Sequence, residues 1–263
     1  MKILSKLTSF VFVFLFSGVL VLPASVYAET LNTPSGSTAS GKGICLRIND
    51  LQANINNSIG ERISKHDLGK STRQSDLTAK RSQLDKELAE DRSKWDGKRN
   101  AQFSKLEEKA KTNSQKAAVS AFEATIKNAI LVREAAVDAA ISTYRSGVDA
   151  LVATKQAAIN SAFSNFKASV AAAFSKAQAD CASGVAPVTV RTDLQSSLKD
   201  ARSKLKTDIQ NATNTKEQLQ TLVNARKTAI QSAVSTFKST SQTAVATLKA
   251  AFATSSPLPT ATP

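Results

Sequence analysis

Apolar side chains recur every 11 residues in one stretch of this chain, residues 115–179. Eleven residues make three helical turns at about 3.67 residues per turn, so residues at this spacing lie on one face of a straight helix. The pattern therefore predicts one long helix that packs against its neighbours through a single apolar stripe. The two main rows are Val119, Ile130, Ile141, Val152, Phe163 and Phe174, and Ile126, Val137, Val148, Ile159 and Val170.

A sequence repeat coincides with this periodicity. Residues 133–145 are matched by residues 155–167 and 226–238, and more weakly by residues 115–127. The repeat indicates that one helical unit has been used in two different helices. Its alanines and serines let backbones approach closely, while its β-branched and aromatic residues fill the seam.

The chain has one clear interruption in its helical pattern, at residues 183–187, where Gly184 ends one helix and Pro187 opens the next. We expect helices over about 44–112, 115–181 and 187–252, forming an all-α, elongated, antiparallel three-helix bundle or coiled coil within residues 44–254. In the less regular first helix, Trp95 lies in an 11-residue row with Leu84 and Leu106. That row favours core packing for Trp95 over an exposed anchor.

The chain has two cysteines, Cys45 and Cys181, and they lie at equal distances along the sequence from Asn113, one before it and one after it. A turn near Asn113 would bring both to the same end of an antiparallel hairpin, within the roughly 7 Å between Cα atoms that a disulfide requires. We predict an intramolecular disulfide, with intermolecular bridges and free thiols as the alternatives.

Two helix breaks are predicted at matching heights. One lies near Gly69, with Ser71 and Gln74 spaced as a capping box. The other lies near Asn211 in residues 211–214, with Asn214 and Glu217 spaced in the same way. Unbroken helices of about 60 residues are the alternative.

The two ends of the chain differ from its helical centre. Residues 1–28 combine a basic start, an apolar run and small residues before Glu29, which predicts a secretory signal peptide cleaved after Ala28. The alternative is a retained membrane anchor. Residues 29–43 read as a flexible leader and residues 255–263 as a disordered Pro/Thr-rich tail. We therefore expect a secreted or periplasmic protein without a membrane span after cleavage.

No pattern in the chain indicates catalysis, a cofactor or a metal site, and we expect no enzyme. His66, the single histidine, is interpreted as a solvated surface residue. Cleavage would remove two lysines and no acidic residue, lowering the formal charge from +14 to +12. Such a charge attracts polyanions or an envelope surface non-specifically. The candidate contacts lie in the stretch after Glu217, which lacks acidic residues: Arg226, Lys227, Lys238 and Lys249.

The run REAAVDAAISTYRSGVDALVATKQAAINSAFSNF, at residues 133–166, resembles uncharacterised, Ala/Lys-rich secreted helical proteins of candidate-phylum (patescibacterial) bacteria. The resemblance extends over about residues 115–252. It implies an exported helical protein and no assigned chemistry. We expect a structural or interaction protein of the cell envelope, with a protein partner or self-association. The alternative is a basic holdase or polyanion-binding protein, with nucleic acid or an acidic polymer as its ligand.

Overall fold

Four α-helices make up the part of the chain that the computed structural model describes, residues 43–254. They are α1 (Gly43–Lys109), α2 (Asn113–Ala182), α3 (Pro187–Thr213) and α4 (Lys216–Thr254), and residues 43–254 contain no strand. The predicted all-α bundle is confirmed, with the third predicted helix divided into α3 and α4. The predicted signal peptide, most of the leader and the tail lie outside the described residues.

Local capping explains where α2 begins and ends. Thr112 accepts a hydrogen bond from the backbone N–H of Gln115, and the Gln115 side chain accepts one from the backbone of Thr112, which forms a capping box. At the other end, Gly184 adopts a positive φ of 81°. The N–H of Val185 donates to the carbonyl of Asp180 at 3.0 Å, as in a Schellman motif. Pro187 then starts α3.

The first two helices form an antiparallel hairpin. Cys45 and Cys181 are joined by a disulfide, with 5.7 Å between their Cα atoms, across 136 positions of sequence. The predicted intramolecular bond is therefore confirmed. At the opposite end of the hairpin, the rings of Phe103 and Phe122 meet edge to face at 6.0 Å.

The central helix of the molecule is α2. It contacts α1, α3 and α4, whereas no Cα atom of α1 lies within 8 Å of one in α4. The first row of its apolar stripe is buried at Val119, Ile130, Ile141, Phe163 and Phe174. The α2 stripe predicted from the 11-residue spacing is therefore the main core of the protein.

The apolar residues of helix α1 are buried only near its two ends. They are Ile48, Leu51, Ile55 and Ile59 beside the disulfide, and Phe103 at the far end. Between these groups, residues 60–102 contain no buried apolar side chain. The middle of α1 is therefore attached to the bundle through half-buried apolar side chains, such as Leu77, Leu84 and Leu88, and needs additional contacts.

The two predicted helix breaks have different outcomes. Helix α1 continues through Gly69, so that prediction is wrong. A single glycine costs a helix about 1 kcal/mol, less than is lost by interrupting a cooperative run of backbone hydrogen bonds. The second break is confirmed at the end of the predicted segment 211–214. The helix stops at Thr213, and the N–H of Asn214 donates to the carbonyl of Asn211 at 3.3 Å.

Candidate interaction surfaces

The repeated sequence unit packs against its own copy. Arg133, the first residue of one copy, places its guanidinium 4.6 Å from the ring centre of Phe237, the twelfth residue of the copy in α4. Arg226, the first residue of the α4 copy, lies in the same way 4.2 Å from the ring centre of Tyr144, the twelfth residue of the α2 copy. The two cation–π contacts are reciprocal, each worth about 0.5–2 kcal/mol. The antiparallel pairing of α2 and α4 thus rests on a self-complementary repeat.

This packing corrects the predicted role of Arg226. Its residue surface is only 7% exposed, so it stabilises the α2–α4 interface and does not lie on the open surface with the neighbouring lysines. Its aromatic partner, Tyr144, is also buried, and burial raises the pKa of the Tyr144 hydroxyl while the Arg226 charge opposes that rise. Within the described residues the Tyr144 hydroxyl has no hydrogen-bond partner.

The other predicted polyanion contacts are all exposed. Lys227, Lys238 and Lys249 lie on the outer surface of α4 at intervals of 11 residues. Lys216, at the start of α4, is exposed and continues the same row, although the sequence analysis did not include it. The structure therefore replaces the predicted set with four lysines in one line along a single helix.

A ladder of ion pairs attaches the middle of α1 to α2. Each pair is bidentate, with nitrogen–oxygen distances of 2.7–3.0 Å. The arginine side chains are 21–25% exposed and the aspartates about half exposed. The ladder sets the register of two helices where α1 contributes no buried apolar residue. Its pairs are Arg81–Asp149, Arg145–Asp85 and Arg92–Asp138.

Hydrogen bonding within the ladder shifts two pKa values. The pKa of the Asp85 carboxyl is lowered, chiefly by the hydrogen bonds from Arg145. The pKa of Arg92 is raised, chiefly by its hydrogen bonds to Asp138. The sequence analysis missed this ladder. The signal for it was present, because Arg81 and Arg92 are 11 residues apart, as are their two partners on α2.

Two aromatic predictions are wrong. Trp95 was expected in the core but is 63% exposed, with the ammonium of Lys98 5.1 Å from its ring centre. His66 was expected to be solvated, but its side chain is only 8% exposed and meets the ring of Phe163 edge to face at 5.9 Å. His66 is covered because α1 approaches α2 closely there, whereas Trp95 lies on the open surface of α1.

A shallow groove of about 510 Å³ lies between α2 and the break that separates α3 from α4. Lys155 lines it together with Lys204, Asp208 and Asn211. Burial and the charge of Arg73 lower the pKa of Lys155. Lys204 donates to Asp208, which places the one carboxylate of the groove in an existing ion pair.

Residues 43–254 contain no group of three or more His, Cys, Asp and Glu side chains that could hold a metal ion. Among the same residues, no helix is long and apolar enough to cross a membrane. In comparisons with protein-family models, curated proteins and solved structures, no significant match to this chain was found.

Proposed function

We propose that this chain is an exported, non-enzymatic structural or interaction protein of the cell envelope, secreted or periplasmic. The observation that carries the proposal is the disulfide between Cys45 and Cys181, which ties together the ends of two helices of 67 and 70 residues. Structural disulfides persist in oxidising compartments and are rare in the cytosol. The bond supports export independently of the signal-peptide pattern in residues 1–28.

The geometry supports a scaffold role. At 1.5 Å per residue, α1 and α2 each have a length of about 100 Å. The apolar core runs along α2, and most of the α1 surface is open to solvent. A bundle of this kind exposes a long surface to which other molecules can bind, because only a narrow part of each helix is buried in the core.

A second candidate is the holdase or polyanion-binding role. Its specific support is the line of exposed lysines on α4 together with the formal charge, which is +14 for the full chain and falls by two when residues 1–28 are removed. The burial of Arg226 weakens it, because one of the expected contacts lies inside the bundle.

Export is tested by expressing the full chain in a bacterium and fractionating the cells. We expect a mature protein that begins at Glu29, is found outside the cytoplasm and has no thiol that reacts before reduction. An intact protein that begins at Met1, remains in the cytoplasm and has two reactive thiols would rule the proposal out.

The role is tested by cross-linking and recovering the protein from intact cell envelope under non-reducing conditions. Recovery of a protein partner at high salt supports the scaffold role. Gel-shift binding to DNA that disappears with added salt, and no recovered protein partner, supports the second candidate.

A further inference from the structure

Two rows of residues run along the exposed side of α4. Lysines recur every 11 residues, which places them about 16.5 Å apart along the helix. Val234 and Val245 are also 11 residues apart, and each lies four residues before a lysine, so the two rows are adjacent on the helix surface. We name this surface the α4 strip: Lys216, Lys227, Lys238, Lys249, Val234 and Val245.

The α4 strip has no partner within residues 43–254. Its four lysines are exposed, and none of them forms an ion pair with a described residue. The valines are 41% and 38% exposed, although they occupy positions of the 11-residue apolar pattern. Glu217 is the one acidic residue of α4, and the Cα atoms of α1 stay more than 8 Å from those of α4 along its whole length.

Within the same molecule, a pair of cations spaced by 11 residues is paired with carboxylates of the same spacing on a neighbouring helix. On α1, Arg81 and Arg92 have the spacing of the apolar repeat, and they pair with Asp149 and Asp138, which have the same spacing on α2. Because the helices are antiparallel with a common period, both pairs form in one register. Two of the three ladder pairs thus join an arginine row of α1 to an aspartate row of α2 with the same period, while the third pair, Arg145–Asp85, has the opposite polarity.

We infer that the α4 strip docks an acidic α-helix of another protein molecule, in which carboxylates recur with the period of the lysine row beside a row of small apolar side chains. The inference rests on the proposed role as an interaction protein and names the chemistry of the partner. The lysine row pairs with the carboxylates of that helix, and the valine row packs against its apolar side chains.

Spacing favours a helix over a nucleic acid. Each DNA strand carries a phosphate about every 3.4 Å, and affinity grows with the number of phosphates neutralised. Lysines about 16.5 Å apart would meet few of those phosphates. The exposed valines of the α4 strip make no favourable contact with a phosphate backbone. Against a second helix, they pack on its apolar side chains.

The test uses the mature, disulfide-bonded protein and two labelled synthetic peptides of about 33 residues. The first is helical and carries a row of glutamates and an adjacent row of alanines, both with the period of the lysine row. The second has the same composition with the glutamates at irregular spacing. Fluorescence anisotropy measures the affinity of each peptide, and circular dichroism checks that every protein variant remains helical.

Two charge-matched variants locate the binding surface. The strip variant changes all four lysines of the α4 strip to glutamate. The control variant makes the same change at exposed lysines of α1, namely Lys65, Lys70, Lys86 and Lys105. We expect the regularly spaced peptide to bind with the higher affinity. The strip variant should weaken it by at least about tenfold and the control variant by much less. A peptide with lysines in place of the glutamates should bind the strip variant.

Three results would overturn the inference: no saturable binding of the regular peptide up to about 1 mM, equal affinity for both peptides, or equal loss in both variants. Tighter binding of a duplex DNA of about 30 base pairs, lost in the strip variant, would assign the strip to polyanions instead. None of these results bears on export, which is judged by the amino terminus and thiol state of the protein in cells.

Discussion

Replacing Cys45 and Cys181 by serine tests whether α1 is an arm held at its ends. The disulfide closes a loop across 136 positions, and the chain-entropy model assigns such a loop about 5 kcal/mol at 25 °C. Without the bond, the amino-terminal part of α1 is held by four buried aliphatic side chains near residue 50, worth about 1.5–3 kcal/mol each. Residues 60–102 contribute no buried apolar side chain to the attachment.

We therefore expect the free energy of opening α1 to fall by about 4–5 kcal/mol, with little change in the packing of α2 against α4. Hydrogen exchange measured by mass spectrometry should show faster exchange over residues 43–102 and nearly unchanged exchange over residues 126–174. Wild-type protein reduced with dithiothreitol serves as the control and should behave like the serine variant.

Two outcomes would refute this reasoning. If protection is lost equally in α2 and α4, then α1 is part of one cooperative unit and is not a separately held arm. If exchange in α1 does not change, the ion-pair ladder and the end contacts hold the helix without the disulfide.

Three further predictions concern single residues. Tyr144→Phe removes a buried hydroxyl without a partner and should leave stability unchanged or raise it by about 1 kcal/mol in urea unfolding; a loss of that size would mean the hydroxyl is hydrogen-bonded. Gly147→Val should lower the free energy of unfolding by about 1–3 kcal/mol, because even a Cβ atom there would lie 2.6 Å from Leu222 of α4. Gly97→Ala places its Cβ atom in open space and should raise the free energy of unfolding by up to about 1 kcal/mol. Equal shifts of the melting temperature in the two variants would contradict this. Arg145 lowers the pKa of Asp85 in the folded state, so the stabilisation by this carboxylate is present above its usual pKa of 3.8 and is lost as pH falls through the folded-state pKa. Asp85→Asn should therefore destabilise the protein at neutral pH, with a penalty that shrinks as pH falls below 3.8. A penalty in urea unfolding that does not change with pH would show that the charge is irrelevant.

The helix caps could be read from local sequence, because the residues that form them lie within a few positions of each other. The glycine stop at Gly184 was predicted in this way, whereas the capping-box spacing after Gly69 misled because the helix continues through it. The disulfide could be inferred because equal distances from one turn place two cysteines at the same height. The charges of the ladder between α1 and α2 also recur at 11 residues in the sequence. That spacing identifies which arginine pairs with which aspartate only once the register of the two helices is known.

The sequence by itself determined the helical class, the stripe on α2 and the pairing of Cys45 with Cys181. The 11-residue period fixes the angle of each residue around its own helix, and residue numbers fix its height along the helix. These two quantities are enough to predict the stripe and the cysteine pair. Only the tertiary structure decided which residues at favourable angles are covered. Trp95 lies in an apolar row of α1 and is nevertheless exposed, while the close contact of α2 with α4 buries Arg226. Burial depends on the distance between helices, and the 11-residue spacing contains no information on that distance.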